Sequence, residues 1–155
     1  MEEGRDDLME KVFAELKSED WHGYSTESLW ATPVEEGRFR IENSPFFAEG
    51  FSFGDIVDTI MRDGVAWITG LARPSGSSTY RILLGENVEA AQFTRFWKPL
   101  QQAGCSFEHG DFGFEIRAVH VPKETDIHKA YRLLEAGEAA SVWEFEEGHC
   151  GHMQP

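Results

Sequence analysis

Between residues 79 and 147 the spacing of apolar residues switches repeatedly between a period of two and a period of 3.6, and the order of those switches restricts the fold more than any other feature. Tyr80, Ile82 and Leu84 alternate with Arg81 and Leu83, which predicts a strand over 79–84. Phe93, Phe96, Trp97 and Leu100 then fall at i, i+3, i+4 and i+7, the apolar stripe of a helix that Asn87 can cap and Gly104 can stop. Residues 105–109 and 112–121 read as a hairpin around Gly110-Asp111, ended by Pro122. Thr125 or Asp126 can cap a second helix with the stripe Ile127, Ala130, Tyr131 and Leu134, and Gly137 marks its exit. Residues 141–147 alternate again, with Val142 and either Phe145 or Trp143 inward. Strand, helix, strand, strand, helix, strand is the ferredoxin-like βαββαβ order, in which both helices bury their stripes on one face of an antiparallel sheet.

The first half has a different rhythm. Residues 28–34 form a short apolar run, Glu35-Glu36-Gly37 a turn, and Arg38-Phe39-Arg40-Ile41-Glu42 a clean alternation, together a hairpin ended by Asn43-Ser44-Pro45. Phe46, Phe47, Phe51 and Phe53 sit in a Gly-interrupted stretch that suits an irregular loop over a core. Residues 54–61 and 65–71 flank Arg62-Asp63-Gly64, and Asp-Gly between apolar runs signals a tight hairpin. Residues 10–16 fit a helix face through Leu8, Val12, Phe13 and Leu16, or a strand with Val12, Ala14 and Leu16 on one side. The expected class is therefore α+β. Residues 1–72 make a small β-rich, barrel-like module and 73–155 a ferredoxin-like one, the two packed as one compact unit.

Charge sets the permissible partners. The chain has 28 Asp and Glu against 14 Lys and Arg, a formal net charge of −14, and its basic residues do not cluster. Such a surface repels phosphate backbones and anionic lipid, so nucleic acid and membranes are not expected partners. With 41% apolar and 13% aromatic residues there is enough material for a packed core. No apolar run approaches the roughly 20 residues of a membrane span. The start, Met1-Glu2-Glu3-Gly4-Arg5-Asp6-Asp7, is acidic where a signal peptide is basic and apolar, and residues 1–9 read as a frayed terminus. Two cysteines without an export signal do not argue for a disulfide framework. These features point to a soluble, reduced, cytoplasmic protein.

Several stretches together resemble the bacterial domain of unknown function 4265 family. They are Glu27-Ser28-Leu29-Trp30-Ala31, Ile41-Glu42-Asn43-Ser44-Pro45-Phe46-Phe47, Gly54-Asp55-Ile56-Val57, Ser75-Gly76-Ser77-Ser78-Thr79-Tyr80-Arg81, Gly104-Cys105 and Trp143-Glu144-Phe145-Glu146-Glu147-Gly148. The resemblance implies an extended start, which turns residues 10–16 toward a strand, and it implies no catalytic residues.

Among chemically suggestive residues, His149-Cys150-Gly151-His152-Met153 gathers imidazole, thiol and thioether, a soft-metal ligand set, so His149, Cys150 and His152 are the candidate metal ligands. Cys105 and His109 are the residues that would complete a tetrahedral site. A 4-1-3-2 strand order opposes this, because it sets Cys105 and Cys150 on opposite edges, three strand spacings or roughly 14 Å apart. The alternative is a solvated tail. Pro74-Ser75-Gly76-Ser77-Ser78-Thr79 lacks the Lys and helix of a phosphate loop and reads as a structured turn. Asp55, Asp58, Asp63, Glu42 and Glu49 read as solvated strand ends, and His120 as a satisfied structural histidine. No Ser or Cys is paired with a base in a nucleophile elbow, and no cofactor is called for.

The function expected from these features is a non-enzymatic, acidic protein-binding module. Its concrete version is an immunity protein that neutralises a basic bacterial toxin by covering its active site. Trp143, Glu144, Glu146 and Glu147 are the expected partner-binding residues, with Glu19, Asp20 and Trp21 as a second patch. The alternatives are a small-ligand-sensing regulatory module and a metal protein using the C-terminal cluster.

Overall fold

The computed structural model describes residues 9–17 and 19–152; residues 1–8, most of the expected frayed start, and Met153 of the C-terminal cluster lie outside them. Among the described residues, nine strands form two mainly antiparallel sheets with two helices, a mixed α+β fold.

The first sheet contains β1 (Glu10–Glu15), β2 (Thr26–Glu35), β3 (Arg38–Ile41), β4 (Ile56–Arg62) and β5 (Val65–Arg73). Each pairs antiparallel with the next, and β5 returns to β1 through a parallel contact of Phe13 with Trp67. The ambiguous segment at residues 10–16 is thus a strand. Alternation buries Val12 and Ala14 beside Leu29, Ala31, Ile41, Val57 and Ala66, and a strand edge on each side satisfies its backbone. Asp63 (φ 53°) and Gly64 (φ 79°) both take left-handed backbone, the turn that matches strand twist in a two-residue hairpin.

The second half runs β6 (Ser78–Leu84), α1 (Ala90–Gln102), β7 (Ser106–Asp111), β8 (Glu115–Val121), α2 (Ile127–Ala139) and β9 (Trp143–His149). Its sheet has the order β7-β8-β6-β9, so β7 and β9 are the edges. One face carries Tyr80, Ile82, Val119 and Val121 against Phe93, Trp97 and Leu100 of α1 and Ala130 and Leu134 of α2. Asp126 caps α2, accepting from the backbone N–H groups of His128 (2.9 Å) and Lys129 (3.3 Å). Two boundary expectations fail. Asn87 does not cap α1: Glu89 stands at that position without a side-chain bond, and Asn87 takes a left-handed φ of 63° in the preceding turn. Gly137 does not end α2 but lies inside it, because the Trp143 indole occupies the space a side chain would need: a Cβ there would stand 2.2 Å from Trp143 Cε2. Neither helix is long and apolar enough to cross a membrane.

The other face of this second sheet packs on the first half, chiefly through the 42–55 loop. Glu27 shapes that loop by accepting from the N–H groups of Phe46 (2.6 Å), Phe47 (3.0 Å) and Ala48 (2.8 Å). Across the boundary Ser44 N–H donates to Glu108 (2.5 Å), Arg81 donates to the Ala48 carbonyl, and Phe53 packs on the His120 ring at 5.1 Å. Each half keeps its own apolar cluster.

Candidate functional site

Period-two alternation decides which side chains leave β6 and β9 on which face. Tyr80 and Ile82 of β6 join the helix-side core; Arg81 lies on the opposite face. On β9, Trp143 and Phe145 face the helices, Phe145 packing on Tyr80 and Tyr131 (6.2 and 5.5 Å between centroids). Glu144 and Glu146 therefore emerge on the face that carries Arg81. The loop between β1 and β2 brings Trp21 to the same place. Trp21, Arg81, Leu83, Glu144, Phe145 and Glu146 line a cavity of about 330 Å³.

Arg81 forms a buried floor, only 2% exposed. One guanidinium nitrogen donates to the Ala48 carbonyl, another lies 3.9 Å from a Glu146 oxygen, and Nε is buried without a hydrogen-bond partner among the described residues. Burial pushes its pKa down, against the pull of Glu146, Glu27 and Glu49, which favour the charged form. Trp21 forms the opposite wall, half of its surface open, and is steadied by Phe114 (5.4 Å), His22 (5.6 Å) and Phe47 (6.1 Å). The Trp21 ring beside two carboxylates suits a cation on a flexible stem: the carboxylates supply charge and the ring a polarised face.

The expected partner-binding residues divide. Trp21, Glu144 and Glu146 meet in this cavity, although they come from distant parts of the chain. Glu147 lies on the other face, 3.4 Å from the Tyr80 hydroxyl, and Asp20 leans toward His22 at 3.9 Å. Glu19 is exposed in the same loop. Trp143 is a correction. It is 1% exposed, and its indole N–H donates to the Leu134 carbonyl at 2.9 Å, so it is a core residue and cannot meet a partner. The acidic residues around it suggested exposure, but strand alternation turns its ring inward. The exposed tryptophans are Trp21 and Trp30.

The C-terminal cluster is not the solvated tail that the sequence suggested. Its described residues are held by the hydroxyls of Ser52 and Ser78. The Gly151 and His152 N–H groups donate to Ser78 Oγ (2.9 and 3.3 Å), and Ser78 returns its proton to His152 Nδ1 (2.6 Å), leaving Nε2–H for the Pro122 carbonyl (2.9 Å). Thr79 donates to Ser52 Oγ (2.7 Å), which shares a hydrogen bond with His149 Nδ1 (2.8 Å). Both ring nitrogens of His152 and Nδ1 of His149 are thus engaged. Among the described residues no group of three or more His, Cys, Asp or Glu side chains is placed to hold a metal ion, so His149, Cys150 and His152 do not form one. Neither Cys105 nor Cys150 is in a disulfide, and burial pushes the Cys105 thiol up to about 11.

This interface also contains a residue the sequence concealed. Asp55 is fully buried, not a solvated strand end, and accepts from Ser52 N–H (2.9 Å), Ser75 N–H (2.8 Å) and Ser75 Oγ (2.7 Å). Serine, histidine and aspartate meet here, but not as a relay. Ser52 and Asp55 both approach Nδ1 of His149, at 2.8 and 3.9 Å, where a relay needs one on each ring nitrogen. The group ties the serine-rich connector and the tail to the first half. His120 is likewise less satisfied than expected: its Nδ1 is buried without a partner among the described residues, and burial lowers its pKa.

The model of a domain of unknown function, DUF4265, matches residues 27–145. The chain belongs to the DUF4265 family. The matched stretch includes Arg81 and Glu144, whereas Trp21 precedes it and Glu146 follows it. The DUF4265 fold seen here is similar to a crystal structure described as that of a hypothetical protein from Neisseria gonorrhoeae. The TM-score is 0.73 and the identity 19%, over 94% of this chain and 98% of the other. No curated protein matches the chain.

Proposed function

We propose that this chain is a soluble cytoplasmic, non-enzymatic binding module whose acidic face docks a basic protein, in its concrete form an immunity protein that covers a toxin's active site. One observation carries the reading: Trp21, Glu144 and Glu146 share one cavity of about 330 Å³ on a chain of net charge −14. A lysine or arginine entering it would meet two carboxylates and the Trp21 ring, above the buried Arg81. The scaffold in this reading is a ferredoxin-like half, supported by the order β7-β8-β6-β9 with both helices on one face, seated on a barrel-like half, supported by the return of β5 to β1. The test is growth rescue on co-expression with the product of an adjacent toxin-like reading frame. Wild type should rescue and E144K/E146K, whose changes lie at the exposed rim, should not. Equal rescue by both would remove the site, and no rescue by wild type would remove the immunity role.

A second reading, a small-ligand regulatory module, is favoured by a separate cavity of about 420 Å³ lined by Phe13, Tyr24, Phe46, Phe47 and Phe112. A thermal shift across a panel of apolar and aromatic metabolites tests it.

A further inference from the structure

The edge of the second sheet suggests how a basic partner is gripped, an inference that rests on the docking reading above. β9 ends the strand order, and no described strand pairs with its outer side. The Phe145 N–H points away from β6 and donates to a Glu138 carboxylate oxygen at 3.4 Å, a long bond near the limit of such contacts. In an antiparallel ladder a residue whose N–H faces outward also turns its carbonyl outward. Phe145 therefore presents an outward-facing donor–acceptor pair at the middle of β9, whose donor is held by that one long side-chain bond. The cavity floored by Arg81 lies on one flank of this edge. On the other lies a second hollow, of about 580 Å³, whose lining includes Glu86, Glu138 and Glu144. Both hollows reach Glu144 and Phe145.

We propose that β9 is a strand-addition edge for a basic, extended segment of another protein, which pairs antiparallel with residues 143–147. Phe145 and its direct partner would exchange both backbone bonds, and that partner's side chain would fall on the helix side beside Phe145. The residues on either side of it would then stand opposite Glu144 and Glu146 in non-hydrogen-bonded pairs, where side chains come closest. Lysine or arginine at those alternate positions places a cation on each carboxylate, one of them within reach of Trp21. A second copy of this chain fits poorly. Antiparallel self-pairing would set Glu144 and Glu146 of the two copies against each other, and like charges directly opposite destabilise a ladder.

The test uses the full chain and a synthetic (Lys-Val)4 peptide in three forms: unmodified, N-methylated on every valine, and N-methylated on every lysine. In the proposed register the valine amides face β9 and the lysine amides face solvent. Valine methylation should weaken binding by about tenfold or more, while lysine methylation leaves it within about twofold, because only the first removes interstrand bonds. Amide exchange at Phe145 should slow on binding of the unmodified peptide. Equal binding of all three peptides, or binding without protection at Phe145, overturns edge pairing and leaves acidic docking standing. No binding of any peptide at low salt overturns both. A stable dimer of the chain alone that protects the Phe145 amide overturns the proposal in favour of a second copy.

Discussion

Gly137→Ala separates the placement of Trp143 in the core from its placement at a surface. In an ordinary helix interior the exchange is favourable by about 1 kcal/mol, because alanine restricts the unfolded chain and covers the backbone. Here the added Cβ would stand 2.2 Å from Trp143 Cε2 and 2.6 Å from Nε1, so either α2 or the indole must move. Overpacking of this kind costs about 1–3 kcal/mol. If the ring moves, the bond from Nε1–H to the Leu134 carbonyl is lost as well, a further 1 kcal/mol or so. The net expectation is destabilisation by about 1–3 kcal/mol, or about 2–4 °C in Tm for each of those kcal/mol in a domain of this size. Urea unfolding followed by far-ultraviolet circular dichroism measures it, with an unchanged m-value showing that the native state alone is affected. The double variant G137A/W143A should recover part of the loss relative to W143A, since the clash is gone. If G137A is as stable as wild type or more so, the indole does not lie on α2, and Trp143 returns as a possible partner contact.

Three further outcomes follow from groups already described. Burial raises the pKa of Glu108, with Glu27 adding to the effect and Ser44 opposing it. A raised folded value means stability present below the unfolded pKa and lost as pH rises through the folded one. Glu108→Gln, which keeps an acceptor for the Ser44 N–H, should therefore raise the urea midpoint at pH 7, with the gain vanishing below about pH 4, the ordinary glutamate range. For Asp126, bonds from the Lys129 and His128 N–H groups lower the pKa, so its contribution is present above the unfolded value and lost as pH falls through the folded one. Asp126→Ala should lower the urea midpoint at neutral pH, and the gap to wild type should close below about pH 4. His152→Ala removes the bonds to Ser78 and the Pro122 carbonyl and should cost about 1–2 kcal/mol in the same assay, whereas substitution in a solvated tail would change nothing.

Legibility differed by the range of the interaction involved. Segments with a strong local period read true: the stripe of Phe93, Trp97 and Leu100 is the buried side of α1, and Asp63-Gly64 is the β4–β5 turn. Most of the misreadings share a cause. Asn87, Gly137, Trp143 and Asp55 each have a plausible local role, as cap, stop, exposed ring and solvated carboxylate. For Gly137, Trp143 and Asp55 a contact outside the local segment decides otherwise, while Asn87 takes a left-handed turn before α1. Asp55 is buried because Ser52 and Ser75 supply three donors to its carboxylate, a compensation visible only once the connector folds back. The site was half legible. Acidic and aromatic residues pointed to Trp21, Glu144 and Glu146, while the buried Arg81 gave no local signal because it stands in an ordinary alternating strand.

By itself the order of residues determined the α+β class, the element sequence of the second half and the excess of negative charge, since periodicity, turn chemistry and composition are properties of neighbours along the chain. Only the tertiary structure decided that Trp21 meets Glu144 and Glu146 over Arg81, that the tail docks on Ser78, and that β9 is an outermost strand of its sheet among the described residues. Those outcomes depend on which faces two sheets turn toward each other, and period-two alternation says that a strand has two faces without saying what will cover them.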